Sequence, residues 1–500
     1  MLCSVLVACV GSRDGDDDVV DGNATAIRFT QAIGGAMWVN PEVFPIIPVH
    51  AIVDGEPSKV TISVDGVPFE ATRDGEGPRW TAQVEVSLLD NGDHELIAEA
   101  HGVSTAAVLG AGREGIQWTS IAVDKNAATP RLHRMGDRLV LTWTDLSTGS
   151  RVAWLQELDG AGRRIGEKVA LVGGAGQPDK LYARTAIGES TIGILYQEHG
   201  GPYKNFFTVV GRDGAPVIEP IVLDPSDRFG SYSGDVVVAG DGYDIVWRTN
   251  SGAGSSDVRW MHVSETGEAS APMIVAAPGN SDPHAGFDAI TNVTIQHHAG
   301  TSLIAFSRYE YDTLLELELL KCQLATVVDG VATSDVVGIG NDFTWDDDCR
   351  ILNDGTGPVA VRSTKSLTSS EDNPPAELFA TRVPLTAGRG DGTKIVTGPE
   401  TRYEPTLIGT TAQPILAWSD ARSYAVDITS GEVELYASVL GGDLVSTQHL
   451  GFRHTHFIEG TADIRGIAAG ENAILTWIDE RHGGSVVDPR PEVFLETIWQ

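Results

Sequence analysis

The chain has few cysteines, few basic residues and no long apolar run. Its 500 residues include four Cys, and 35 Lys plus Arg stand against 69 Asp plus Glu, so the formal net charge is −34. A surface this acidic repels phosphate backbones, which excludes nucleic acid as an expected partner. No segment reaches the roughly 18–20 apolar residues of a membrane-spanning helix. The sequence also lacks a G-x-S-x-G elbow and a phosphate loop, and no cofactor is predicted.

The residues that are abundant indicate short antiparallel strands. The chain contains 57 Gly, many in Asp-Gly pairs between stretches rich in Val, Ile and Thr. Between residues 26 and 110, apolar and polar residues alternate in Val60-Thr-Ile-Ser-Val64 and in Trp80 to Val86, with turns at Asp65-Gly66 and Asn91-Gly92. This pattern predicts a β-sandwich. It resembles the bacterial Ig-like domains of exported proteins.

A repeat follows, and it is the strongest pattern in the sequence. Each unit contains an apolar run, most often with an aromatic residue at its end. The runs are Leu139–Trp143, Ile192–Tyr196, Asp244–Trp247, Leu303–Phe306, Pro358–Val361, Ile415–Trp418 and Ile474–Trp477. Their last residues are 53, 51, 59, 55, 57 and 59 positions apart. Four short strands at a period of about 50 residues are typical of a propeller blade.

The two ends of this region suggest how the ring closes. The seventh unit stops at Trp499-Gln500 without a fourth strand, while residues 116–123 form a strand-like run with no unit of its own. Pairing the two would remove an exposed sheet edge. We therefore predict an all-β protein, with an Ig-like β-sandwich at 26–110 and a seven-bladed β-propeller at 115–500 closed by strand 116–123.

Three units extend the repeat into a W-x-D pattern, which two of them continue to Arg. The residues are Trp143 and Asp145, then Trp418, Asp420 and Arg422, and finally Trp477, Asp479 and Arg481. The pattern resembles the W-x-D-x-R repeats of exported bacterial propeller proteins. A single site does not need the same residues several times, so we interpret them as structural. Trp would pack between blades, and Asp would accept backbone N–H groups at the strand end.

The N-terminus carries a possible export signal. Leu6-Val7-Ala8-Cys9 resembles the lipobox of bacterial lipoproteins, in which the Cys is diacylated. The resemblance implies a signal peptide at 1–9, lipidation of Cys9 and an outer-membrane lipoprotein of the cell envelope; a periplasmic or secreted protein is the alternative. Residues 10–25 would be an acidic tether. The leader is shorter than usual, so either the start codon lies further upstream or the match is accidental.

The two remaining cysteines, Cys322 and Cys349, fall in neighbouring units. Export to an oxidising compartment favours a disulfide between them.

Several other groups of residues have some of the features of a site. His454 and His456 with Glu459 lack a third ligand at zinc spacing, and Asp346-Asp-Asp348 lacks the pattern of a calcium loop. No metal site is therefore predicted. Arg389-Gly-Asp391 is explained by turn composition, and no unit contains the S-x-D-x-G-x-x-W box of sialidases.

We expect a monomeric binding scaffold for an unknown protein or glycan, with the membrane reached through the lipid anchor alone and no catalytic residue. The alternative is an enzyme acting on extracellular polysaccharide in the propeller funnel, with Glu310, Asp312 or Asp420 as its first candidates. Converging carboxylates in the funnel would favour the enzyme, and an apolar plug would exclude it.

Overall fold

The computed structural model describes residues 24–112, 116–117, 127–145, 151–174, 177–199, 204–223, 234–249, 256–277, 290–312, 317–333, 337–339, 344–366, 376–383, 392–395, 402–420, 432–456, 463–479 and 492–500. The regular elements of these residues are all β-strands. No helix that could cross a membrane occurs within them.

The first eight strands form one curled sheet. They are β1 (Ala26–Phe29), β2 (Ala36–Val39), β3 (Ile46–Asp54), β4 (Val60–Val64), β5 (Val67–Arg73), β6 (Arg79–Glu85), β7 (Gly92–Ala100) and β8 (Val103–Ala111). The strand order is β1-β3-β6-β5-β4-β7-β8-β2, and only β2 and β8 run parallel. Alternate residues such as Val60, Ile62 and Val64 are buried. Because β1 also contacts β7 and β8, the sheet curls on itself around one core.

The remaining strands form a propeller-like set of sheets. The strand β9 (Ile116–Gln117) is followed by β10 (Ala127–Met135), β11 (Arg138–Asp145), β12 (Val152–Leu158), β13 (Arg164–Val172), β14 (Asp179–Ile187), β15 (Thr191–His199), β16 (Lys204–Gly211), β17 (Ile221–Val222), β18 (Gly234–Ala239), β19 (Gly242–Arg248), β20 (Val258–Ser264) and β21 (Met273–Ala276). The sheets β10–β13, β14–β17 and β18–β21 are four-stranded antiparallel meanders.

The second half of the chain continues this pattern. Its strands are β22 (Ile290–His298), β23 (Thr301–Asp312), β24 (Leu317–Val328), β25 (Val331–Ala332), β26 (Val337–Ile339), β27 (Thr344–Asn353), β28 (Pro358–Ser366), β29 (Glu377–Arg382), β30 (Thr393–Lys394), β31 (Arg402–Ile408), β32 (Ile415–Asp420), β33 (Glu432–Leu440), β34 (Ser446–His456), β35 (Arg465–Ala469), β36 (Asn472–Asp479) and β37 (Glu492–Ile498). A five-stranded sheet contains β22–β26, and β27–β34 form an eight-stranded sheet. Within that sheet, β27 and β31 meet at the single pair Asn353 and Ile408.

The sheets are arranged around a common centre. Contacts between first strands run from β10 through β14, β18, β22, β27, β31 and β35 back to β10. In the last sheet, β9 pairs with β37, so that Ile116 lies opposite Leu495 and Gln117 opposite Phe494. A channel therefore runs along the inner strands.

Apolar cores fill the spaces between neighbouring sheets. The aromatic residues at the ends of the repeated runs lie in these cores, and Trp247, Trp418 and Trp477 are among the largest fully buried side chains. Trp418 stacks on Tyr436 with ring centroids 5.9 Å apart, and Trp477 stacks on Phe494 at 5.8 Å. In both pairs the partner lies directly opposite on the third strand.

The N-terminal sheet is fixed to the propeller at several points. Trp499 Nε1 donates to the carbonyl of Trp38 at 2.9 Å, and Arg79 Nη1 lies 2.9 Å from Glu471 Oε1. The backbone N–H of Gly160 donates to Ile33 O at 2.9 Å. Gly160 and Glu471 lie in or beside hairpins at one end of the propeller, which we call the hairpin end. The N-terminal sheet thus covers part of that end.

Candidate functional site

The opposite end of the channel is marked by irregular backbone in the inner strands. Positive φ angles occur at Thr129 (53°), Tyr182 (49°), Asn292 (51°), Glu404 (52°) and Asp463 (42°). At the first four of these residues the pairing between the first and second strands also shifts register. Such β-bulges redirect side chains, and strained non-glycine backbone is often found at functional sites. We call this the bulge end.

A cluster of charged side chains lies at the bulge end. It contains five arginines and four carboxylates: Arg131, Arg184, Arg248, Arg350 and Arg465 with Asp235, Asp348, Glu404 and Asp463. Three of the arginines, Arg131, Arg184 and Arg465, lie two positions after a residue with positive φ. The bulges therefore coincide with the positions from which arginines enter the channel.

The charges of the cluster are connected by ion pairs across several sheets. Arg131 Nη2 lies 2.9 Å from Asp235 Oδ1, and Arg184 Nη1 lies 3.1 Å from Asp463 Oδ2. Asp463 also contacts Arg465 Nη2 at 2.9 Å, and its backbone N–H donates to Glu404 Oε2 at 2.7 Å.

The carboxylates leave some arginine donors unused. Arg350 Nε donates to Asp348 Oδ1 at 2.9 Å, but its Nη1 is buried without a hydrogen-bond partner. The Nε atoms of Arg131 and Arg465 are also buried without a hydrogen-bond partner. These three side chains line one cavity of about 270 Å³, which we call the channel cavity. A buried unsatisfied donor is costly, so a native site with three of them requires an explanation.

Burial and the neighbouring charges shift the pKa values of the cluster in opposite directions. Burial raises the pKa of Glu404 to about 7, against the opposing effect of Arg350. Burial would also raise the pKa of Asp463, but Arg184 and Arg465 hold it well below its usual range. Burial lowers the pKa of Arg465 to about 9 despite the nearby Asp463. Near neutral pH, Glu404 is therefore partly protonated, and the positive charge of the cluster exceeds the negative charge.

A second cavity of about 340 Å³ adjoins the channel cavity and shares Arg184 and Gly234 with it. We call it the side cavity. It is lined by Tyr182, which is 46% exposed, and by the buried amides of Gln197 and Asn205. Gln197 and Asn205 lie opposite each other on β15 and β16. The amide oxygen of Gln197 has no hydrogen-bond partner.

Towards the hairpin end the channel becomes less polar. A cavity of about 440 Å³ begins at Arg131, Asp235 and Arg465 of the cluster. The rest of its lining is mostly apolar and includes Ile187, Val238 and Leu352. Its one imidazole, His133, donates to or accepts from Thr185 Oγ1 at 3.0 Å. Burial, together with Arg131, lowers the pKa of His133 to about 3. This imidazole is therefore neutral at ordinary pH.

The predicted structural residues are distributed around the blades, outside this cluster. Trp143 and Asp145 are buried on β11, and Trp418 and Trp477 are buried on β32 and β36. Asp420 and Asp479 are the last residues of β32 and β36, but their side chains are not described. Arg422, Arg481 and the proposed lipidation site Cys9 lie outside the described residues.

Cys322 and Cys349 form a disulfide between β24 and β27, in the core shared by those two sheets. The candidates Glu310 and Asp312 lie on β23 without described side chains, as do His454 and His456 on β34. Glu459 and Arg389-Gly-Asp391 lie outside the described residues. Within the part of the chain that the structure describes, no three His, Cys, Asp or Glu side chains are grouped as metal ligands.

The arginine cluster was missed in the sequence, although a weak signal exists. An Arg stands two positions after a polar residue in or just before the first strand of four units: Thr129-Pro-Arg131, Tyr182-Ala-Arg184, Asp348-Cys-Arg350 and Asp463-Ile-Arg465. The apolar runs that define the repeat lie in the second strand of each unit, where the aromatic residues dominate. An alignment of first strands would have brought the arginines into register.

A second polar network was also missed. Asp244 accepts a hydrogen bond from Ser302 Oγ and lies 2.7 Å from His262 Nδ1, while His297 Nδ1 lies 3.0 Å from Ser302 Oγ. Serine, histidine and aspartate together suggest a nucleophile. However, Ser302 is 2% exposed and donates directly to Asp244. This network therefore joins two sheets and does not present a nucleophile to a substrate.

No family model and no curated protein matches this chain. Among solved structures it is similar to an ulvan lyase, a polysaccharide lyase, at 11% identity and a TM-score of 0.45, over 76% of this chain and 96% of the lyase. It is similar to an α-L-arabinanase from Penicillium chrysogenum at 11% identity and a TM-score of 0.44, over 63% of this chain and 92% of the other. The β-propeller domain of the Trilobed protease from Pyrococcus furiosus matches at 9% identity and a TM-score of 0.38, over 85% and 98%. These similarities are ones of fold.

Proposed function

We propose that this protein is an exported binding protein that holds an anionic group of an extracellular partner at the bulge end of its channel. The observation that carries the proposal is the set of unpartnered N–H donors on Arg131, Arg350 and Arg465 around the channel cavity. A carboxylate, sulfate or phosphate would supply acceptors to all three. Charge-assisted bonds of this kind are stronger than neutral ones.

The scaffold of the proposal is a seven-bladed propeller preceded by an Ig-like module. The closed cycle of contacts between first strands and the pairing of β9 with β37 support a ring of seven. The single pair that joins β27 to β31 supports a division of the eight-stranded sheet into two blades. Lipidation of Cys9 would then hold the ring at the outer membrane. The contacts of the N-terminal sheet would fix the Ig-like module to the hairpin end of the ring.

The overall charge of the molecule affects which anionic ligands it would bind. The chain carries a formal net charge of −34, so a free anion is repelled as it comes close to the surface. The arginines act only at short range because salt screens charges beyond about 8–10 Å. Such a combination selects ligands that fit the channel and rejects polyanions that would bind any basic surface.

The test is binding of simple anions to the purified chain. We expect sulfate, phosphate or acetate at millimolar concentration to raise the melting temperature, since a ligand of the folded state stabilises it. Arg350→Gln should abolish this increase. Arg28→Gln is the matched control, because Arg28 lies on the N-terminal sheet with its side chain 65% exposed. Equal stabilisation of all three proteins would exclude the channel as the anion site.

One observation favours the alternative, an enzyme acting on polysaccharide. Glu404 and Asp463 are adjacent carboxylates whose pKa values are shifted apart, as in acid–base pairs of glycosidases. An enzyme of this kind would release new ends from a panel of extracellular polysaccharides, and Glu404→Gln would stop the release. Binding without any product, at enzyme concentrations matching those of the polysaccharide, would favour the binding protein.

A further inference from the structure

The side cavity has the features of a binding site that the anion alone does not explain. It opens beside the channel cavity, and Arg184 lines both. The buried carboxamide of Gln197 is 4% exposed, and its oxygen has no partner in the structure. Leaving an acceptor desolvated in this way costs free energy, which a ligand that donates a hydrogen bond to it would recover.

Tyr182 supplies a second, independent feature. Its ring lines the side cavity and is 46% exposed, which is unusual for a large aromatic residue in an inner strand. Its backbone has a φ of 49°, a region that bulky residues rarely adopt. The bulge that costs this strain also presents the ring at the cavity. An exposed aromatic face beside planar amides suits a ring that is apolar on one face and carries hydroxyl groups at its edge.

We propose that the side cavity binds a sugar ring and that the ligand of the protein is an acidic glycan, with its carboxylate in the channel cavity. The ring would lie against Tyr182, and its hydroxyl groups would donate to Gln197 Oε1. Arg184 lies between the two cavities and would mark the junction of ring and acid group. This inference rests on the proposed function, since it assigns the anion in the channel to a uronic acid of the same ligand.

The shape of the site favours a glycan over an acidic peptide. The side cavity has one exposed aromatic ring, two amides on neighbouring strands and the carboxylate of Asp463, which also accepts hydroxyl groups, and its lining contains no arginine besides Arg184. A peptide of several carboxylates would need a cation for each of them, and the molecule is otherwise strongly acidic. A glycan with a single uronate needs one cationic centre with a hydroxyl-binding surface beside it.

The experiment is calorimetric titration of the full chain with trisaccharides that carry a single uronate on two neutral sugars, the uronate being galacturonate, mannuronate or glucuronate. The controls are the methyl esters of these trisaccharides, a hexaglutamate peptide and sulfate. We expect at least one uronide to bind, and its methyl ester to bind at least tenfold more weakly. Failure of all three uronides, or tighter binding of hexaglutamate, would overturn the inference.

Variants separate this inference from the proposed function. Gln197→Ala and Tyr182→Ala should each weaken uronide binding about tenfold, which corresponds to one lost hydrogen bond or ring contact, and leave stabilisation by sulfate unchanged. Gln83→Ala, on an exposed position of the N-terminal sheet, should change neither. If Gln197→Ala does not fold, Gln197→Met keeps the length of the side chain without the amide oxygen and should weaken uronide binding to the same extent.

The outcomes are distinguishable. Sulfate binding that depends on Arg350, together with uronide binding that is indifferent to Gln197 and Tyr182, would overturn the sugar subsite and retain the anion site. If the wild-type protein neither is stabilised by sulfate nor binds a uronide, both proposals are overturned.

Discussion

The two ends of the propeller differ in how their charges are placed. At the bulge end, arginines and carboxylates are buried in a shared network, with strained backbone and unpartnered donors around a cavity. At the hairpin end, ion pairs such as Arg138–Glu157 are partly exposed, and the N-terminal sheet contacts two of the hairpins. The positive φ angles there lie in turns, as at Ala299 and Leu444, and not in the strands that line the channel. One end is built for stability and docking, and the other retains features that stability alone does not require.

The largest expected effect is loss of a buried charge at the bulge end. Asp463→Asn keeps a residue that tolerates positive φ but leaves Arg184 and Arg465 without their carboxylate. We expect a loss of about 3–5 kcal/mol in the free energy of unfolding, measured with urea. Glu157→Gln at the hairpin end should cost less than about 1 kcal/mol. Similar losses for both would remove the distinction between the ends.

The second effect is a pH dependence that belongs to the bulge end. Because burial raises the folded pKa of Glu404 to about 7 from 4.5, the folded state holds more protons than the unfolded state between these values. Stability from this group is therefore lost as pH rises from about 4.5 to 7. Glu404→Gln should remove that decline and stabilise the protein at pH 8 by about 3 kcal/mol. An unchanged pH profile of unfolding would contradict the assignment.

The third effect concerns the contact between the N-terminal sheet and the hairpin end. A Cβ at Gly160 would lie 2.2 Å from Ala36 O and 2.9 Å from Ile33 O, so Gly160→Ala forces the two bodies apart. We expect a cost of about 1–3 kcal/mol and faster proteolysis between them. Gly442→Ala is the control, because Gly442 lies in the corresponding hairpin of the β27–β34 sheet and its Cβ would meet nothing within 4 Å. Equal resistance of both variants would argue against docking at Gly160.

The smallest effect lies at the hairpin end of another sheet. Hydrogen bonding to Asp244 raises the pKa of His262, against the effect of its partial burial. Stability from this pair is present below the unfolded pKa of about 6.5 and is lost as pH rises through the higher folded value. His262→Gln should therefore cost less than about 1 kcal/mol at pH 5.5 and nothing at pH 8.5. A larger loss at pH 8.5 would contradict the sign of this shift.

The predictability of the fold and of the site differs for a physical reason. Strands with aromatic ends recur about every 50–60 positions, and such local periodicity predicts sheets without tertiary information. The ion pair between Arg184 and Asp463 joins residues 279 positions apart. Neither residue stands out locally, since Arg on a strand is ordinarily a solvated side chain. Patterns of the second strand therefore predicted the scaffold, while the site depended on irregularities in the first.

The sequence by itself determined the all-β character of this protein, the recurrence of short strands joined by Asp-Gly turns, and the aromatic residues that became the cores between sheets. These follow from alternation and turn chemistry, which act over a few residues. Only the tertiary structure decided that Arg131, Arg184, Arg350 and Arg465 meet in one channel, that burial raises the pKa of Glu404, and that one end of the channel is covered. Those properties arise when distant strands are arranged around a common centre and water is excluded from the charges between them.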